Sequence, residues 1–127
     1  MRMGLVALVV RDYDEAIDFY VRKAGFTLVS DDDMGHGKRW VVVSPGSGAG
    51  LLLARADRPR QHRRIGNQTG GRVAFFMYTE DFAGTHARMA ANGVHFLEAP
   101  RAEPYGMVCV WQDLYGNKWD LLEERSS

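Results

Sequence analysis

Short apolar runs, separated by polar and glycine-marked breaks, recur along the chain: LVALVV at 5–10, WVVVS at 40–44, LLL at 51–53, AFFMY at 74–78, MVCVW at 107–111 and WDLL at 119–122. Runs of roughly four to eight residues rich in β-branched and aromatic side chains predict strands. Two other stretches repeat at the helical period instead. In the first, Ile17, Tyr20, Val21 and Ala24 share one face, Asp12 is a good N-cap with Glu15 following it, and Gly25 supplies the stop. In the second, Phe82, Met89 and Ala90 form the stripe and Gly93 ends it. The seven apolar or small residues Gly4–Val10 are followed by RDYDEA with no small-residue cleavage site, so they predict a buried strand rather than a leader.

Sliding the chain by 68 positions superimposes these patterns on one another. Val6–Val10 falls on Ala74–Tyr78, the helical stretch 14–24 on 82–92, Gly25 on Gly93, Gly48 on Gly116, and LLL at 51–53 on WDL at 119–121. A shared order of runs and glycines with few identities is the mark of an internal duplication. Each half then reads strand, helix, strand, strand, strand. Module one spans 4–57, module two 71–125, and the Arg-, Gly- and Gln-rich segment 58–70 is a linker, the whole of 1–127 forming one domain. The arginines that cluster from Arg55 to Arg64 suit either a solvated loop or an anion grip.

Composition narrows the function classes only a little. With 16 basic and 16 acidic residues the chain lacks the basic surplus that general nucleic-acid or membrane-surface binding requires. One cysteine, Cys109, rules out an intrachain disulfide and suits a cytoplasmic setting. No stretch has the length of a membrane-crossing helix. The four histidines never share ligand spacing on one predicted element, and no Gly-rich phosphate loop or nucleophile elbow is present.

The motifs LVALVVRDYDEAIDFYVRKAGF, at the start of module one, and DLYGNKWDL, at 113–121, resemble the vicinal oxygen chelate superfamily of glyoxalases, bleomycin-resistance proteins and extradiol dioxygenases. That resemblance implies an α+β fold of two tandem βαβββ modules, a curled mixed sheet with a concave cleft and helices outside. It also implies a homodimer, with clefts often completed between subunits. Metal-dependent members place four ligands on the first and last strands of the modules. Carried onto this chain, those positions read Leu5, Leu52, Val73 and Asp120. Three are apolar, so the ancestral metal site is expected to be absent.

Asp120 thus becomes the candidate catalytic or ligand-binding acid, inside an otherwise apolar strand. Strand alternation puts Lys118 and Leu122 on its face, and predicts Leu5, Ala7, Val9, Val73, Phe75 and Met77 as the cleft floor. Arg101 and Tyr105, in PRAEPYG, are candidates at the mouth, one for anions and one as a flat wall; Trp40 and Trp111 are candidates for stacking. These readings point to a glyoxalase/bleomycin-resistance-like module that holds a small, partly apolar molecule without metal or other cofactor, with no nucleic-acid or membrane partner. Two alternatives stay open. One is a metal-dependent glyoxalase, isomerase or dioxygenase-type enzyme, using a divalent ion held by other donors. The other is a metal-free lyase or isomerase with Asp120 as base and Tyr105 or Arg101 polarising the substrate.

Overall fold

The computed structural model describes residues 1–125. Its first half runs β1 (Leu5–Val10), α1 (Tyr13–Ile17), β2 (Thr27–Gly35), β3 (Lys38–Ser44) and β4 (Gly50–Arg55). These strands form a four-stranded sheet ordered β1-β4-β3-β2, in which β1 is parallel to β4 and the other pairs are antiparallel. A short helix α2 (Pro59–His62) lies in the connection. The second half runs β5 (Val73–Thr79), α3 (Phe82–Ala91), β6 (His95–Phe96), β7 (Arg101–Glu103), β8 (Gly106–Gln112) and β9 (Lys118–Glu123). Its sheet is ordered β5-β9-β8-β6, again with the first and last strands parallel, and β7 also pairs with β8. The architecture is the expected α+β arrangement, with two sheets rather than one.

Helix ends follow the chemistry of their caps. The Asp12 carboxylate accepts the Glu15 amide at 2.9 Å, and the Asp81 carboxylate accepts the Gly84 amide at 3.0 Å. Beyond Ile17, α1 continues as a π-helical segment, Asp18–Lys23, where the Ala24 amide reaches the Phe19 carbonyl at 3.0 Å. Gly25, at φ +84°, then turns the chain into β2. The wider turn buries the adjacent Phe19 and Tyr20 together.

Those two aromatics join the modules. Leu8, Val10, Val43 and Leu53 from the first sheet share one core with Cys109, Trp111, Trp119 and Leu121 from the second. Trp111 and Trp119 stack with centroids 4.8 Å apart, Phe19 lies 6.3 Å from Trp111, and Tyr20 lies 6.0 Å from Trp119. At its rim the Tyr20 hydroxyl donates to Asp113 Oδ2 at 2.7 Å and accepts from Trp119 Nε1 at 3.2 Å. Burial, then the neighbouring Asp113 charge, pushes the Tyr20 phenol well above its usual range, so it stays a donor.

Asp113 is 3% exposed and fully engaged. Its Oδ1 accepts the Tyr115 and Asn117 amides, each at 2.9 Å, and its Oδ2 also accepts the Asn117 side-chain amide at 2.8 Å. The turn before β9 is thereby pinned to the first module's helix. The linker adds a second tie: Gln68 accepts from the Val9 amide at 2.8 Å and donates to the Ala7 carbonyl at 2.7 Å, occupying the free edge of β1 as a strand would.

Removing the pin should be costly. Asp113→Ala, which orphans four donors, three of them buried, is expected to lower unfolding free energy by about 3 kcal/mol, and Tyr20→Phe by about 1.5 kcal/mol. Urea denaturation of both variants checks this; wild-type midpoints would refute it.

Candidate functional site

Trp119 and Leu121 belong to the shared core, so alternation turns Lys118, Asp120 and Leu122 to the face of the second sheet that carries no helix. Asp120 sits in the middle of that open face, opposite Phe76 on β5 and Val110 on β8. On the first sheet the corresponding face carries Leu5, Ala7 and Val9 from β1, with Gly50, Leu52 and Ala54 directly opposite them on β4. Val42 and Trp40 continue that surface on β3, Trp40 being 40% exposed.

The expected floor needs one correction. A bulge between Val73 and Phe75 inserts an extra residue into β5 and reverses its alternation. Phe75 therefore packs on Trp119, with centroids 4.6 Å apart, and Met77 joins the core at 9% exposed. Phe76 and Tyr78 face outward in their place, 59% and 61% exposed. Phe75 and Met77 line a crevice of about 640 Å³ between β5 and the loop 45–49. Nothing in the alternating pattern VAFFMYT marks the extra residue.

Trp111 is corrected likewise. It is fully buried against Phe19 and Trp119 on the helix side of the sheet, where no cleft ligand reaches it. Tyr105 sits 57% exposed in the turn between β7 and β8. Arg101 is spoken for: its guanidinium bonds Glu98 at 3.1 Å and also Glu103. Both carboxylates raise its pKa, and its charge is balanced before any anion arrives. The break between β6 and β7, which pair in succession with β8, explains why: Glu98 lies in it, and its carboxylate accepts the Val110 amide at 2.9 Å.

Asp120 itself has no such partner. Its Oδ1 is covered yet accepts no hydrogen bond among the described residues. Desolvation raises its pKa above the ordinary value; the nearby Arg101 charge opposes this and Glu98 reinforces it. Behind it, burial pushes the Cys109 thiol up to about 11, so that sulfur is an unreactive core group, its Sγ donating to the Glu98 carbonyl at 3.1 Å. His86 lies between Phe82 and Phe96, 4.1 Å from the latter ring, on the helix side.

The residues present do not fit a divalent ion at the chelate positions. Leu5, Leu52 and Val73 have no donor atoms in their side chains, and no three His, Cys, Asp or Glu side chains converge on a metal-sized site among the described residues. What the open faces offer is an aliphatic floor, exposed aromatic walls and one underbonded carboxylate.

Known proteins share both the sequence pattern and this architecture. Residues 2–121 match the model of the Glyoxalase/Bleomycin resistance protein/Dioxygenase superfamily. An uncharacterized protein of Shewanella frigidimarina (strain NCIMB 400) is 54% identical over 93% of this chain and 90% of its own length. The crystal structure of UcmS2 is 26% identical, with a TM-score of 0.83 over 96% of this chain and 97% of that one. TnmS3, described as an antibiotic binding protein from Streptomyces sp. CB03234, is 28% identical with a TM-score of 0.78, covering 98% of this chain and 97% of its own. No helix among the described residues is long and apolar enough to cross a membrane. By sequence and by fold, this chain belongs to the Glyoxalase/Bleomycin resistance protein/Dioxygenase superfamily.

Proposed function

We propose that the protein binds a small, partly aromatic molecule on its open faces and does so without a metal ion. The observation that carries this reading is the pair of open sheet faces, which bear aliphatic Leu5, Leu52 and Val73 where the resemblance would put metal ligands and also bear Trp40, Phe76 and Tyr78, 40% to 61% exposed. Apolar concave surface with a few polar groups is the usual chemistry of a small-molecule site. Similarity to TnmS3, an antibiotic binding protein, supports the same class of ligand. So much exposed apolar surface also favours a homodimer, in which a second copy closes the cleft.

Asp120 supplies the polar contact. The half-buried carboxylate has a covered Oδ1 that no group among the described residues satisfies, so its accessible oxygen is left to accept a hydrogen bond from a ligand hydroxyl or amine. The proton-transfer alternative draws less support. Arg101, the cation whose charge reaches Asp120, is already held by Glu98 and Glu103.

A thermal-shift screen of planar aromatic compounds, with sedimentation of the same samples, tests the reading. A ligand at about a hundred times its Kd should add about 2.7 kcal/mol and raise Tm by several degrees on a dimeric species. A library that leaves Tm unchanged, or a strictly monomeric protein, would contradict it.

The Asp120 carboxyl also has a signature without ligand. Its folded pKa is raised, so its contribution to stability is fully present below the ordinary value of 3.8 and is lost as pH rises through the folded pKa. Asp120→Asn should therefore be more stable than wild type at neutral pH, and the advantage should vanish in acid. Urea midpoints across that range decide it; a variant destabilised at neutral pH would show instead that the carboxylate holds the fold together.

A further inference from the structure

At the open end of the first sheet lies a pocket of about 470 Å³ whose apolar wall is Val9, Leu52, Ala54 and Trp40. Its polar rim carries Lys38, Arg55, His36 and Gln61. Two arginines frame it, and they differ in one respect. Arg39 is neutralised, bonding Asp31 at 2.7 Å and Asp14 at 2.9 Å. Arg55 has no carboxylate within ion-pair distance among the described residues, and neither does Lys38.

Arg55 is nonetheless held in place. Its guanidinium lies over the face of Tyr13, 5.2 Å from the ring centroid, while Arg39 occupies a position 5.1 Å from the same centroid. Tyr13 is 5% exposed and accepts the Arg39 backbone amide at 3.2 Å, so this platform is rigid. The tip of the β2–β3 hairpin completes the seat. A Cβ on Gly37 would stand 3.2 Å from Arg55 Nη2, and Gly37 has φ +79°, a conformation that glycine adopts without strain. The acid on the pocket rim, Asp57, pairs with Arg58 at 3.2 Å.

We propose that this pocket is an anion subsite: Arg55 and Lys38 bind the carboxylate or phosphate of a molecule whose aromatic or apolar body lies on Trp40 and Leu52. A planar guanidinium fixed by stacking, with its donors unspent, is suited to a two-pronged contact with such a group. Lys38 adds a point charge on the rim of the same pocket. The inference rests on the small-molecule reading above and deepens it, assigning the ligand a negative group at the first sheet.

Calorimetry of the full chain with 2-naphthoate, 2-naphthyl phosphate and 2-naphthamide tests it. At least one anion should bind ten-fold or more tightly than the neutral amide, and the better of the two identifies the group. The preference should shrink as salt is raised. Arg55→Gln with Lys38→Gln should reduce the anions to the affinity of the amide while leaving the amide within two-fold, and Trp40→Ala should weaken all three. Arg55→Gln alone, at an exposed position, serves should the double variant fold poorly, and should lose most of the preference. Equal affinity for all three probes would overturn the anion subsite and leave aromatic binding intact. So would a preference that survives both substitutions. Failure of all three to bind at millimolar concentration would also overturn the subsite, and the wider reading falls with it only if the aromatic screen is negative too.

Discussion

The bond between the Tyr20 hydroxyl and the Asp113 carboxylate, 2.7 Å long and wholly buried, is the constraint on which the rest of the molecule hangs. One partner comes from the helix of the first module, the other from the turn that feeds the last strand of the second. Without it, the modules would meet through apolar packing, which resists separation but tolerates sliding, and through the weaker Trp119–Tyr20 and Tyr115–Asp12 contacts. Asp113 also accepts both amides of its own turn, so the register in which β9 enters its sheet follows from the same carboxylate. Trp119 is then directed to the helices and Asp120 to the open face. A buried acid seven residues upstream thus determines where the half-buried one points.

That arrangement separates two kinds of surface. The helix side is a shared aromatic core, crowded by Phe19, Tyr20, Trp111 and Trp119. The open side is thinly furnished and carries the chemical individuality of the chain. At Leu5, Leu52 and Val73, where the resemblance would put metal ligands, that side carries aliphatic side chains. Charge over the surface is also managed unevenly: Arg101 and Arg39 are saturated by pairs of carboxylates, whereas Asp120 and Arg55 are each left without an ionic bond among the described residues. Groups left underbonded while their neighbours are satisfied are the ones a ligand can reward.

Much of the scaffold was legible in the sequence. The helix caps at Asp12 and the glycine stops at Gly25 and Gly93 act through local chemistry and are visible in a few residues. The internal duplication also showed, because it repeats the order of apolar runs. Asp120's outward direction followed from plain alternation in β9. The candidate site was less legible, for identifiable reasons. A single inserted residue in β5 moved Phe75 and Met77 to the core, and Phe76 and Tyr78 to the open face. Trp111 cannot be told from Trp40 by strand position, since only the packing partner decides the face. The neutralisation of Arg101 depends on Glu98 bridging the gap between β6 and β7, a tertiary event. Arg55 reads as the first of a cluster of arginines that suits a solvated loop as well as an anion grip, yet it ends β4 and stacks on Tyr13, 42 positions earlier.

The central claim is that this chain keeps the family's architecture while binding its ligand without a metal ion. Calorimetric titration of the chelator-treated protein with Ni²⁺, Zn²⁺, Mn²⁺ and Fe²⁺ addresses it most directly. The account predicts no stoichiometric heat for any of the four ions. Tight one-to-one binding of any of them, lost in Asp120→Asn, would contradict it and place the chain among the metal-dependent members.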